Sequence, residues 1–297
     1  MLWIFFTILG AFLQTFRNFQ QKILNKNVDV LTTSWSRFIL PFPLALIAVF
    51  VSYSYINNQF IFHCFILAFF QILGNACLIK TLKSRNFSIG IAFFKTEVLQ
   101  TLIMGLIFFN EFISIAGFFA ILVTAFGVFL MSNLDFKGGF KNFDFSQKAV
   151  VYGLASGFFF SITAFHLKFA AQNLIALGQS KLIASITVLF WAIFLQNILF
   201  IIIKTYQKNL INHLSLLFLK ENRRTFFFVG ILSFLGSIFW FFAFTLGNVV
   251  YVKAVGQIEM AFALLLSQFY LKEKHSIREF AGIAFTAFGI IGLILLH

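Results

Sequence analysis

Ten apolar runs, most of them close to twenty residues long, follow one another along a chain of 297 residues. They lie at approximately 2–24, 31–52, 62–82, 88–109, 114–132, 148–170, 180–203, 225–246, 249–271 and 276–296. A helix of about twenty apolar residues crosses the hydrocarbon core of a bilayer, whereas barrel strands read as alternating segments of about ten. The chain is 61% hydrophobic and 10% charged, and soluble domains carry about 25% charged residues. The expectation is an all-α membrane protein with about ten transmembrane helices.

The runs also repeat. A shift of 162 positions lays the second half on the first without a gap. Glu97 falls on Glu259, Glu111 on Glu273, Ser114-Ile115 on Ser276-Ile277, and Thr124-Ala125-Phe126-Gly127 on Thr286-Ala287-Phe288-Gly289. The same shift brings Leu73-Gly74 onto Leu235-Gly236 and Asn86 onto Asn248. This suggests a duplicated membrane unit, with a first five-helix repeat over 1–132, a polar linker over 133–147 and a second five-helix repeat over 148–297. Five spans is an odd number, so the two repeats insert with opposite orientation. Inverted repeats are typical of transporters, which bind substrate near the midplane between the halves.

The net charge of +13 sits mostly in short loops, where basic residues fix topology and meet anionic lipid rather than nucleic acid. Cys64 and Cys77 have neither the spacing of a metal site nor that of a disulfide framework. The first run is too long for the apolar core of a cleavable signal peptide and lacks a basic start. The basic stretch 204–224 reads either as a surface helix or as a solvated loop.

Charges inside the runs carry the functional argument. An ionisable group at the bilayer centre costs at least about 2.5–3.5 kcal/mol on insertion scales, so it faces protein or water and has a use. In the first run Gln14, Arg17, Asn18 and Gln21 share one helical face, which lines a cavity unless Arg17 and Lys22 snorkel to the headgroups. Arg37 precedes Pro41 and Pro43, a pairing that suggests a kinked, substrate-facing helix or a structural Arg–Glu pair. Gly74 and Gly236 allow close helix contacts. Lys95 and Glu97 point nearly opposite ways on a continuous helix, which favours Glu97 as the cavity-side group. Its structural alternative is an ion pair with Arg17 or Arg37. Glu111 and Glu273 fall about 21 Å further along, at the membrane surface. Ser114 reads as an N-cap, and Ser276-Ile277-Arg278-Glu279 has the form of a capping box. His166, near Ser156 and Thr163, reads first as a hydrogen-bonded core group. Lys253, Gly256, Gln257 and Met260 share one face, with Glu259 on another and Lys253 either interfacial or deep. Gln257 occupies the position of Lys95, so the two copies have diverged chemically. Trp191, Gln196 and Asn197 give weak signals.

The duplicated five-span unit, the acid at each junction before the last span, and the small-residue last spans resemble the drug/metabolite transporter superfamily, EamA type. Gln14-Thr15 with Arg17-Asn18 and Gln21-Lys22, Arg37-Phe38 with Pro41-Phe42, Lys95-Thr96-Glu97, and Val252-Lys253 with Gly256 and Glu259 look like one bacterial EamA-like subgroup of unsettled substrate. The resemblance covers nearly the whole chain. It implies ten helices in inverted halves, a central cavity, alternating access and the bacterial inner membrane. Small multidrug members carry an acid in their first helix. Here that face carries Arg17 instead, which argues against cationic drugs. Loop charges place both termini outside the cytoplasm, whereas the resemblance implies termini inside.

The sequence therefore points to a secondary transporter for a small polar metabolite, either amino-acid-like or an organic anion. Arg17, Arg37, Glu97, Gln14, Asn18, Gln257 and Lys253 are the expected substrate-binding residues. Glu97 and Glu259 are the expected carriers of a coupled proton or ion. No cofactor, metal or nucleic acid is expected, and the chain works as a monomer or homodimer among membrane lipids. The alternative is proton-coupled multidrug or cation efflux. A membrane enzyme or lipid scramblase finds no HExxH, GxSxG or acidic metal cluster to support it, and no P-loop suggests ATP-driven pumping.

Overall fold

A computed structural model describes residues 1–83, 93–131, 148–208, 210–271 and 276–295. The linker 133–147, Arg85, Asn86 and Glu273 lie outside the described residues. The described chain is helical without strands. Its helices are α1 (Leu2–Leu24), α2 (Val30–Ile39), α3 (Phe42–Ser52), α4 (Asn58–Lys83), α5 (Glu97–Phe108), α6 (Ile115–Met131) and α7 (Lys148–Ala176). They continue as α8 (Lys181–Tyr206), α9 (Leu210–Phe218), α10 (Lys220–Leu246), α11 (Val249–Gly256), α12 (Ile258–Leu266) and α13 (Ile277–Leu295). Among the described residues seven helical stretches are long and apolar enough to cross a membrane, and α2 with α3 makes an eighth if the bent pair counts as one span. Phenylalanines such as Phe50, Phe108, Phe112 and Phe288 stand exposed on the outside, as a lipid-facing surface requires.

The bend between α2 and α3 is 57° and falls at Leu40-Pro41. Proline removes a donor and frees a carbonyl one turn earlier, so the bend needs an outside partner. Asn197 of α8 supplies one, donating Nδ2 to the Phe38 carbonyl at 2.9 Å, while its Oδ1 accepts Trp35 Nε1 at 2.9 Å. Two expected boundaries move. The stretch 204–224 is neither a single surface helix nor a plain loop. Lys204 ends α8 and is buried, α9 follows, and the basic Lys220, Arg223 and Arg224 open α10.

Packing between the two ends of the chain is reciprocal. The extensive helix contacts are α4 with α7, α1 with α10, and α6 with α13. Gly74 on α4 meets the Phe160 ring of α7, where a Cβ would stand 3.3 Å away. Gly236 on α10 faces Leu13 and the Gly10 carbonyl of α1. The tightest seam is α6 on α13, and the repeated Thr-Ala-Phe-Gly segment makes it against its own copy. A Cβ on Gly127 would stand 2.5 Å from the Thr286 nitrogen, and one on Gly289 would collide with the Thr124 hydroxyl. Small residues let two backbones approach this closely, which is how helices associate where lipid offers no hydrophobic drive.

Local signals behave as the sequence predicts. Ser114 Oγ accepts the Gly117 N–H at 3.0 Å. Ser276 and Glu279 close a capping box, with the Ser276 N–H donating to Glu279 Oε2 at 2.6 Å and the Glu279 N–H to Ser276 Oγ at 3.4 Å. Cys64 and Cys77 are free.

Candidate functional site

The first helix brings Gln14 and Arg17 to a cavity of about 80 Å³ at the centre of the bundle. Arg37 reaches it from α2, Gln71 and Leu78 from α4, Lys95 and Glu97 from the start of α5, and Thr163 from α7. Trp240 and Phe244 of α10, Lys253 and Gly256 of α11, then Gln257 and Glu259 complete the wall. A second cavity of about 180 Å³, more apolar, adjoins it and takes in Asn18, Phe19, Lys22, Met260 and Ala263. Lys95 and Glu259 border both spaces and so stand between them.

Two ion pairs cross this centre. Lys95 Nζ meets Glu259 Oε2 at 2.8 Å, and Lys253 Nζ pairs with Glu97 Oε1. Each pair joins one end of the chain to the other. The Glu259 carboxylate also accepts Gln14 Nε2 at 3.0 Å and Asn18 Nδ2 at 2.8 Å. Asn18 in turn accepts Arg17 Nη2 at 2.8 Å through its Oδ1. The polar stripe of α1 is thus a cradle for Glu259, and its last member, Gln21, donates to the Thr33 carbonyl at 3.3 Å. Arg37 Nη1 donates to Asn75 Oδ1 at 2.8 Å, and Asn75 Nδ2 to Ser34 Oγ at 2.6 Å.

Three sequence-level readings need correction. Lys95 and Glu97 do not face opposite ways: both line the central cavity. Glu259 likewise joins Lys253 and Gln257 there instead of lying on another face. The reason is a tightened turn in each segment. The Thr96 N–H bonds back three residues to Phe93 O at 3.2 Å, and the Gln257 N–H to Ala254 O at 3.1 Å. Thr96 (φ −64°, ψ −5°) and Gln257 (φ −64°, ψ −13°) take nearly the same conformation, each just ahead of an acid. A helical wheel drawn straight through such a turn misplaces everything beyond it. Glu97 pairs with Lys253, not with Arg17 or Arg37. Lys253, whose place the sequence leaves open, lines the central cavity.

Other groups have partners that the sequence does not name. His166 is not alone: its Nδ1 lies 3.0 Å from Nδ1 of His63, among Phe62, Phe109 and Phe169. Glu111 is buried and pairs with Lys168. Buried Lys204 reaches Asp29, the N-cap of α2, at 3.2 Å, and His213 of α9 approaches the same carboxylate at 2.9 Å. These are contacts between distant segments, and no local pattern announces them.

The EamA-like transporter family matches residues 1–133 and again 147–295. No curated protein sequence matches the chain. Among solved structures, one crystal structure of a protein superposes on 99% of this chain and 96% of its own, with a TM-score of 0.67 at 12% identity, a likeness in fold alone. The drug/metabolite transporter resemblance therefore holds, and this is an integral, multi-pass membrane protein. It belongs to the EamA-like transporter family.

Proposed function

We propose that the protein is a secondary transporter, not an enzyme, and moves a small polar metabolite by alternating access between two inverted five-helix repeats, 1–132 and 148–297. One observation carries the reading: two ion pairs cross between the halves around a shared central cavity. Charged groups this far from water mark substrate and ion pathways in membrane proteins. Arg17 and Arg37 hold an anionic group of the substrate, with Gln14, Asn18, Gln257 and Lys253 beside them. Glu97 carries the coupled proton, because among the described residues Lys253 is the one side chain its carboxylate engages. Glu259 is the fixed counterpart, held by three donors. Cation efflux fits the site less well, since cations already outnumber carboxylates in the wall. The basic loops put both termini outside the cytoplasm.

The test is uptake into proteoliposomes of labelled amino acids and organic acids, with and without a pH gradient. Flux above that of empty liposomes, lost in Arg37→Gln and uncoupled from the gradient in Glu97→Gln, is the expected result. Flux that both substitutions leave unchanged removes these side chains from the mechanism.

A further inference from the structure

The charges around the central cavity do not balance. Four cations line it, Arg17, Arg37, Lys95 and Lys253, against two carboxylates, Glu97 and Glu259. Both carboxylates are engaged by the lysines. The arginines are left with neutral oxygens: Arg37 donates to Asn75 and Arg17 to Asn18. Among the described residues the cavity wall holds no further acid, so it carries two more positive charges than negative ones. Burying an ion is costly unless it is paired, and a surplus of two buried positive charges calls for negative charge from elsewhere.

The hydrogen bonds are unbalanced in the same place. Arg37 Nε and Trp240 Nε1 are buried donors without an acceptor, and Gln257 Oε1 is a buried acceptor without a donor. All three side chains line the cavity, and Arg37 and Gln257 are each 3% exposed. Buried polar atoms are nearly always paired, so three orphans in one wall call for partners there. The two donors ask for oxyanions. The acceptor asks for a hydroxyl or an N–H.

We infer that the cavity takes a small organic dianion, a dicarboxylate that carries a hydroxyl or N–H group. One carboxylate sits on the free prong of Arg37, within reach of Trp240. The second is held by Arg17. The donor group of the ligand meets Gln257 Oε1. Net charge separates this class from the others: a zwitterionic amino acid leaves both surplus charges uncompensated, a monocarboxylate leaves one, and a cation adds to them. The inference rests on the transporter reading for its purpose, but concerns binding and is tested as binding.

Isothermal titration calorimetry on the detergent-purified full chain, at fixed ionic strength, compares four probes: a hydroxydicarboxylate, the dicarboxylate without its hydroxyl, the matching monocarboxylate, and a zwitterionic amino acid. Affinity should fall in that order, by about tenfold or more from dianion to monoanion, as charged hydrogen bonds of this kind are worth. Arg37→Gln should weaken both dicarboxylates by about tenfold to a hundredfold, and Arg37→Lys should restore part of that. Gln257→Leu should erase the preference for the hydroxylated dianion over the plain one, bringing the ratio of their affinities to about one. That ratio cannot be mimicked by poor folding. A zwitterion that binds as tightly as the dianions, or a Gln257→Leu protein that keeps the hydroxyl preference, overturns the inference. Proteoliposome counterflow then separates the two claims. Dianions that bind without moving refute transport and leave the site standing. Amino acids that move while dianions neither bind nor move refute the site and leave transport standing.

Discussion

Glu97 and Glu259 fall on one another in the repeat, yet the two ion pairs they make are built differently. Glu259 accepts from Lys95, Gln14 and Asn18, with Arg17 behind Asn18. Glu97 has Lys253, and its backbone carbonyl, not its carboxylate, receives the Thr101 and Ser161 hydroxyls. The lysines are not equivalent at all. Lys95 precedes its neighbouring acid by two positions, whereas Lys253 precedes Glu259 by six. The acids and the turns before them recur at the shift of 162 residues, and the lysines do not. One pair is therefore embedded in a network and the other stands almost by itself. A carboxylate with several fixed donors suits a structural post, and one with a single flexible partner suits a group that changes partners.

The largest expected effect is on the embedded pair. Glu259→Gln leaves Lys95 as an uncompensated buried charge and should cost about 3–5 kcal/mol of stability, read as a drop in detergent melting temperature. Adding Lys95→Met to that variant should recover much of the loss. If the double substitution is no better than the single, the pair is not a closed unit. Glu97→Gln should cost less stability than Glu259→Gln in the same assay, yet abolish pH-gradient dependence of flux. Equal destabilisation by the two would erase the asymmetry. Next comes the seam. Gly127→Val at the α6–α13 contact should cost about 1–3 kcal/mol by overpacking, with the affinity of the central site unchanged. An affinity loss there would mean that the seam, and not the ion pairs, sets the geometry of the cavity.

The smallest effect belongs to an ion pair at the end of α8, where Asp29 lies between helices. Burial pushes the Asp29 carboxyl up, but the Thr32 hydrogen bonds and Lys204 outweigh it and hold the group below its ordinary value of 3.8. A carboxyl depressed by folding stabilises the protein above about 3.8 and loses that contribution as pH falls through its folded value. Asp29 is 40% exposed at its side chain, so water screens the pair to about 1 kcal/mol or less. Asp29→Asn should lower the melting temperature slightly at pH 7, and the difference should shrink as pH falls below about 3.8. A loss as great as that of Glu259→Gln would show that burial is not what separates the two sites.

Much of this site could be read before any coordinates. Arg17, Arg37, Glu97 and Glu259 announce themselves because a charge amid apolar neighbours is costly wherever the chain folds. Pro41 announces the bend. The errors share one cause. Periodicity is a property of an unbroken helix, and the turn at Thr96 carries no proline or glycine to betray it, while a single Gly256 ahead of Gln257 is a cue that any close-packed helix could show, so the wheel put Lys95 and Glu259 on the wrong sides. Asn197 gave only a weak signal, and the roles of Asn75 and His63 none, for another reason: each acquires its meaning from a partner on a distant helix. A lone polar residue in an apolar run looks the same whether it binds lipid, water or a cognate side chain.

The tightened turns at Thr96 and Gln257 have a mechanical consequence. A regular helix resists rotation of one end against the other, because its ladder of hydrogen bonds must be torn to allow it. Here the ladder is already interrupted between each acid and the residues upstream. A few backbone torsions at one joint can swivel Glu97 away from Lys253, or Glu259 away from Lys95, without unwinding anything. The same fold thus carries two pre-cut joints, one per half, each placed where an electrostatic clasp would have to open.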